Sequence, residues 1–139
     1  MTNSNDNTNT SQTEPIPTDT YRLIQKMADT FDNGPFSMVR SVDPFSVFSD
    51  PSSIFGHTPH ITAQDAQNRL YIMDLVDVPN MDIGHTQERL TAFAKKSKLN
   101  NSIFWIFIPM GHEVPFKETL TEWNILDAVS RVKGINFNI

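Results

Sequence analysis

Two short runs of hydrophobic residues dominate the pattern of the chain, and a polar stretch with helical spacing separates them. Residues 70–76 and 103–108 are almost continuously apolar and rich in β-branched and aromatic side chains, which is typical of strands covered on both faces. Between them, the spacing of apolar residues predicts a helix over about residues 86–98. The apolar face of this helix consists of Leu90, Phe93 and Ala94. The order strand, helix, strand predicts a parallel β-α-β unit.

Three further signals flank this unit. Residues 61–63 and 69–76 are separated by a turn of hairpin composition, which predicts an antiparallel pair. A helix is expected over about residues 115–124. The final residues, 125–139, either form one or two strands or extend that helix to Val132. The predicted class is therefore α/β: a small mixed sheet with a central β-α-β unit and flanking helices.

Composition divides the chain into three segments. Residues 1–17 are mostly Asn, Thr, Ser, Gln and Asp with almost no apolar content, so a disordered tail is expected. Residues 18–58 comprise an amphipathic helix, over about residues 19–32, and an arm rich in Pro, Phe and Ser. Residues 59–139 form the α/β core domain.

The arm contains more aromatic residues than a free linker needs. It either wraps the domain or docks on a partner. Asp43-Pro44 and Asp50-Pro51 each favour a short helical turn, because Asp caps a helix and Pro suits its first position. The candidate partner-binding residues are Phe36, Phe45, Phe48 and Phe55.

The length, net charge and composition of the chain limit the classes of protein to which it can belong. A chain of 139 residues has room for one domain. Its net charge of −5 disfavours non-specific nucleic-acid binding, which needs a basic surface. Cysteine is absent, so disulfides and thiolate chemistry are excluded. No apolar run is long enough for a membrane span, and no signal-peptide pattern occurs. A cytoplasmic protein with a protein partner or a second copy of itself, and no membrane partner, is expected.

The core domain resembles the PD-(D/E)XK, restriction-endonuclease-like superfamily. In that family Pro-Asp opens one strand, and a hairpin leads to a strand carrying Glu or Asp, any residue, then Lys. A helix and an apolar strand ending in Pro follow. Here Pro59-His60 opens the first strand, Asp74 holds the acidic position of the second, and residues 104–109 match the last strand. The resemblance implies a restriction-endonuclease-like α/β fold.

The residues that carry catalysis in that family are incomplete in this chain. Its chemistry uses two carboxylates to hold a divalent metal at the scissile phosphate and a lysine to activate water. His60 stands at the first acidic position and Val76 at the lysine position. The resemblance therefore implies a nuclease-like domain without enzyme activity or cofactor, which works as a protein-binding or assembly module.

Alternative functions stay open. An active nuclease requires relocated ligands for Mg²⁺, and the candidates are Asp74, Glu88 and Asp65. A small heat-shock-like chaperone requires strands in place of the helices predicted over residues 86–98 and 115–124. A zinc site has weak support, because only four histidines are present and no ligand motif accompanies them. These histidines are His57, His60, His85 and His112.

Overall fold

Five strands and three helices form one α/β/α arrangement in the computed structural model, which describes residues 16, 18–42 and 48–138. In chain order the elements are α1 (Thr18–Asp32), β1 (Ser37–Ser41), β2 (Ile61–Gln64), β3 (Leu70–Leu75), α2 (Ile83–Asn100), β4 (Ile103–Pro109), α3 (Glu113–Glu122) and β5 (Arg131–Ile135).

The strands lie in the sheet in the order in which they occur in the chain. β1, β2 and β3 form an antiparallel meander, and β3, β4 and β5 run parallel. Tyr71 lies opposite Ile103, and Trp105 lies opposite Arg131. Parallel neighbours need a crossover connection, and α2 and α3 provide it. The predicted mixed sheet with a central β-α-β unit and flanking helices is confirmed.

Both faces of the sheet carry a hydrophobic cluster, because successive side chains of a strand point to opposite faces. On the α2–α3 side, Ile72 and Phe104 pack against the helices, with Phe93 and Phe116 fully buried. On the α1 side, the cluster contains Met73 and residues of α1. Burial of each large side chain stabilises the fold by about 1.5–3 kcal/mol.

The arm of residues 35–58 contributes a strand that the sequence did not predict. β1 pairs with β2 through an irregular register between Ser37 and Arg40, and α1 packs on β1. Short polar strands at a sheet edge give little hydrophobic pattern, which explains the omission.

The helical turn expected at Asp50-Pro51 is wrong. Residues 49–53 contain no helix. Instead, the Ser41 N–H donates a hydrogen bond of 3.1 Å to the Ser49 carbonyl, which ties this segment to the end of β1. The turn expected at Asp43-Pro44 lies outside the described residues.

The helix boundaries follow from their caps. α2 begins at Ile83, earlier than expected, because the Asp82 side chain accepts a hydrogen bond from the His85 N–H. It ends before Asn101, which has the left-handed conformation of a C-cap.

The alternative in which the third helix extends to Val132 is wrong. α3 ends at Glu122, Asn124 has a φ of 60°, and a 3₁₀ turn at Leu126–Ala128 leads into β5. Strands over residues 86–98 and 115–124, which the chaperone alternative required, are also contradicted, because both segments are helical.

The tail predicted over residues 1–17 lies outside the described residues except for Ile16, which packs against the cluster on the α1 side. In the parts of the chain that the structure describes, none of the helices has the length and apolar character needed to cross a membrane.

Candidate functional site: a buried carboxylate and its partners

Asp74 is the most deeply buried ionisable side chain of the sheet. It lies on β3 between Ile72 and Val76, and these two apolar neighbours pack toward α2 and α3. Only 1% of Asp74 is exposed. A buried carboxylate is strongly unfavourable unless it is paired and hydrogen-bonded, so its partners determine what this position does.

Arg89 of α2 pairs with both oxygens of Asp74. Its Nε lies 2.9 Å from Oδ2 and its Nη2 lies 2.7 Å from Oδ1, which is the bidentate geometry of the strongest carboxylate–guanidinium pairs. The same Nη2 donates to the Thr58 carbonyl at 2.7 Å. The guanidinium also lies 5.1 Å from the ring centroid of Phe93, one helical turn further along α2.

His60 completes the environment of the carboxylate. Its backbone N–H donates to Asp74 Oδ1 at 3.2 Å. Its ring Nδ1 accepts a hydrogen bond of 3.0 Å from the Leu75 N–H, so this nitrogen carries no proton when the ring is neutral. His60 therefore bonds to β3 through both its backbone N–H and its ring.

The charge of Arg89 keeps Asp74 ionised, and burial keeps His60 neutral at neutral pH. Burial raises the pKa of Asp74, but the positive charge of Arg89 and the hydrogen bonds to the carboxylate outweigh it, so the pKa lies below its usual value. Burial lowers the pKa of His60 to about 4, and Arg89 contributes in the same direction while Asp74 opposes it. The cluster is therefore a paired anion and cation beside a neutral imidazole.

The other two candidate ligands of the nuclease alternative lie apart from Asp74. Asp65 is in the turn before β3, where its Oδ2 pairs with Arg69 Nε at 2.7 Å. The strand places Leu70, the first residue of β3, about 13 Å before Asp74. Glu88 precedes Arg89 on α2, and its side chain is exposed whereas that of Arg89 is buried. The structure does not bring the three carboxylates together.

His57 and His60 are separated by two residues, a spacing that can supply half of a zinc site, but the structure places His57 beside His85 instead. His57 and His85 lie with ring centroids 6.0 Å apart, whereas the Nδ1 of His60 is occupied by the backbone of Leu75. Burial and the charge of Arg89 lower the pKa of His57. Among the residues with described positions, no group of three or more His, Asp or Glu side chains is placed to hold a metal ion.

The phenylalanines of the arm have different environments. Phe36 is half-buried and contacts Tyr71 with ring centroids 4.9 Å apart. Phe48 is half-buried against the cluster on the α1 side. Phe55 is exposed at the tip of a turn, and Phe45 lies outside the described residues.

Arg89 is the residue of this site that sequence reasoning missed. The signal was present in the helical spacing: counting one turn back from Phe93 on the apolar face of α2 leads to position 89, where an arginine interrupts the face. A charged residue on a buried helical face indicates a buried partner of opposite charge.

The comparisons with protein-family models, curated proteins and solved structures find no match to this chain.

Proposed function

We propose that this chain is a nuclease-fold protein without catalytic activity that acts as a protein-binding or assembly module. The observation that carries the proposal is that hydrogen bonds within the protein occupy both carboxylate oxygens of Asp74. Both of its oxygens accept hydrogen bonds from Arg89, and one accepts a third from the His60 N–H. A metal-dependent nuclease needs its carboxylates available to a divalent cation.

The replaced residues support the same proposal. Val76 stands where the family's pattern has lysine, and its side chain is buried in the cluster on the α2–α3 side. An apolar side chain neither activates water nor stabilises a phosphate charge. His60, at the first acidic position, donates its backbone N–H to Asp74 and accepts from Leu75.

The order of elements supports the ancestry. The resemblance implies a strand, a hairpin, a strand with the acidic residue, a helix and an apolar strand. β2, β3, α2 and β4 occur in that order, with Asp74 on the second of these strands. Restriction-endonuclease-like ancestry remains part of the proposal.

A cleavage assay tests the absence of activity. The full chain is incubated with Mg²⁺ or Mn²⁺ and with single- and double-stranded DNA and RNA, beside an Asp74→Ala variant prepared in the same way. We expect no cleavage by the wild type above the level of the variant. Metal-dependent cleavage that Asp74→Ala abolishes would instead establish the nuclease alternative.

The binding function needs its own test. Native complexes are isolated from the source cell, and the polypeptides that stay attached are identified and rebuilt from purified components. Deleting the whole arm is not a clean probe, because residues 35–58 include β1 and the buried Ile54. Point substitutions of exposed residues are better suited.

A further inference from the structure

The turn at Ile54–His57 holds an exposed phenylalanine in a backbone conformation that phenylalanine rarely adopts. Ile54 and His57 exchange two backbone hydrogen bonds, of 2.7 and 3.0 Å. Phe55, with φ of 49°, and Gly56, with φ of 86°, occupy the centre of the turn. Positive φ at both central residues is the type I′ pattern, for which Asn-Gly is the preferred pair. Phe55 is therefore an unfavourable choice for the turn itself.

The other described residues with positive φ show how unusual Phe55 is in such a conformation. Three of the described non-glycine residues with positive φ are asparagines, as turn and cap geometry favours. These are Asn68, Asn101 and Asn124. The remaining two are Met38 and Phe55, which are large, apolar, and 57% and 54% exposed. Neither side chain is fully buried, so packing inside the fold does not offset the cost of positive φ at these two positions.

The turn presents Phe55 on a fixed base beside two residues of α2. Ile54 is buried in the cluster on the α2–α3 side. Lys95 Nζ lies 4.8 Å from the ring centroid of Phe55. Leu99, one helical turn after Lys95 and therefore on the same helical face, is 65% exposed. We call Phe55, Lys95 and Leu99 the Phe55 strip.

The charge of the strip is opposite to that of the whole chain. The chain has a net charge of −5, whereas α2 carries lysines at 95, 96 and 98. Lys98 Nζ bonds to Asp127 at 2.8 Å, while Lys95 lies over the Phe55 ring. An exposed cation–π contact is weak, so a carboxylate from outside competes for this ammonium at little cost.

We propose that the Phe55 strip is a docking surface for an acidic, apolar segment of a partner protein. The segment places a carboxylate at Lys95 and an apolar side chain between Phe55 and Leu99. This inference rests on the proposed binding function and names its surface and its class of partner. A symmetric contact with a second copy is disfavoured, because the Phe55 strip contains no carboxylate for the partner's lysine and the contact joins two chains of net charge −5.

The probe is a displayed library of short random peptides, selected on the wild-type full chain. The tightest peptide is synthesised, and its Kd is measured for the wild type and for matched variants. We expect selected peptides to combine Asp or Glu with aromatic or aliphatic residues. Phe55→Asn should raise the denaturation midpoint, because Asn suits the turn, yet weaken peptide binding about tenfold or more. Reduced binding then cannot be attributed to unfolding.

Two controls match this variant. Met38→Asn replaces the second of the two exposed apolar residues with positive φ in the described chain, so it should also raise the midpoint but leave peptide binding unchanged. Lys95→Glu should weaken binding of the acidic peptide. A peptide with lysines in place of its carboxylates should recover binding to the Lys95→Glu variant. Lys117→Glu, on α3, makes the same charge change away from the strip and should have no comparable effect.

Several results would overturn the inference. These are a library without any Phe55-dependent peptide, equal binding by Phe55→Asn and Met38→Asn, or a lower denaturation midpoint for Phe55→Asn, which would make the ring a structural requirement. A Phe55-dependent dimer in sedimentation would identify a second copy as the occupant instead. Nucleic-acid cleavage by the wild type would overturn the proposed function, and the peptide result would still be read independently.

Discussion

β3 has an aspartate–arginine pair near each end, and the two pairs differ in almost every respect except chemistry. At the start of the strand, Asp65 and Arg69 are four residues apart, and the Arg69 side chain is 54% exposed. At the end, Asp74 and Arg89 are 15 residues apart, and the Arg89 side chain is 8% exposed. Both have a shortest nitrogen–oxygen distance of 2.7 Å. Distance alone therefore does not distinguish them.

The difference teaches what each pair contributes. In the Asp65–Arg69 pair the Asp65 side chain is 14% exposed, but water solvates the exposed Arg69 charge and salt screens it, so the pair gains little. A buried pair gains little over an apolar pair of the same size, but removal of one partner leaves a charge that the interior cannot solvate. The pair at the start of β3 fixes a turn, whereas the pair at its end holds α2, β3 and the Thr58 segment in one arrangement.

The largest effect is expected from removal of the Arg89 charge. Arg89→Met keeps an apolar stem against Phe93 but leaves Asp74 unpaired, so the free energy of unfolding should fall by about 3–5 kcal/mol. Denaturant titration measures this loss. Arg89→Lys keeps the positive charge but cannot form the bidentate pair, so its free energy of unfolding should fall less than that of Arg89→Met. Equal losses for the two variants would show that stem packing, rather than charge, dominates.

Acid should destabilise the protein through His60. Its pKa is about 4 in the folded protein and near 6.5 in the unfolded chain. The unfolded chain therefore takes up a proton first as the pH falls. The contribution of His60 to the free energy of unfolding is fully present above about pH 6.5 and is lost toward pH 4, by roughly 3 kcal/mol.

The lowered pKa of Asp74 extends the loss to lower pH, because this carboxylate stabilises the fold only while it is ionised. Denaturation at a series of pH values measures both regions. His60→Asn preserves an acceptor for the Leu75 N–H without a titrating ring, so it should flatten the dependence between pH 6.5 and 4. An unchanged profile in this variant would assign the acid sensitivity to other groups, such as His57.

Replacement of both members of the buried pair should cost less than removal of one. Asp74→Leu combined with Arg89→Met leaves no buried charge, but the His60 N–H and the Thr58 carbonyl lose partners. We expect a loss of about 1–3 kcal/mol. The two single variants and the double variant form a thermodynamic cycle. A double variant less stable than Arg89→Met would show that the hydrogen bonds to Asp74 outweigh its charge.

The smallest effect is expected at the exposed pair. Arg69→Met makes the same chemical change as Arg89→Met, but Asp65 still accepts hydrogen bonds from the backbone N–H groups of Gln67 and residue 69. The thermal midpoint should stay within the experimental error of the wild type. A loss comparable to that of Arg89→Met would remove the contrast between buried and exposed pairs.

The sequence predicts those parts of the fold that depend on nearby residues. The runs at 70–76 and 103–108 indicate strands because both of their faces are buried, and the Asp65–Arg69 spacing is visible in the sequence. β1 escapes prediction because Ser37–Ser41 is short, polar and irregularly paired at an edge. The sequence leaves open whether residues 125–132 are helix or strand, because the end of α3 is marked by an asparagine. Asn124 adopts the left-handed conformation, but asparagine signals such a turn less strictly than glycine does.

The candidate site is harder to predict, because it depends on contacts between distant elements. Asp74 and His60 are singled out in the sequence by the resemblance to the nuclease pattern, which aligns them with its two acidic positions. Arg89 is identified only once α2 is rotated so that Phe93 faces the sheet. Its pairing with Asp74 needs the tertiary structure, since no local pattern links residues 15 positions apart.

The agreement between strand order and chain order has a consequence for biosynthesis. Each new strand emerging from a ribosome finds its neighbour already made, so the sheet can extend progressively from β1 to β5 without waiting for a distant segment. Until α2 has emerged, however, the carboxylate on β3 lacks its counter-charge. Nascent chains that stop before position 89 should therefore remain loosely packed, and those that extend past β4 should be the first to resist proteolysis.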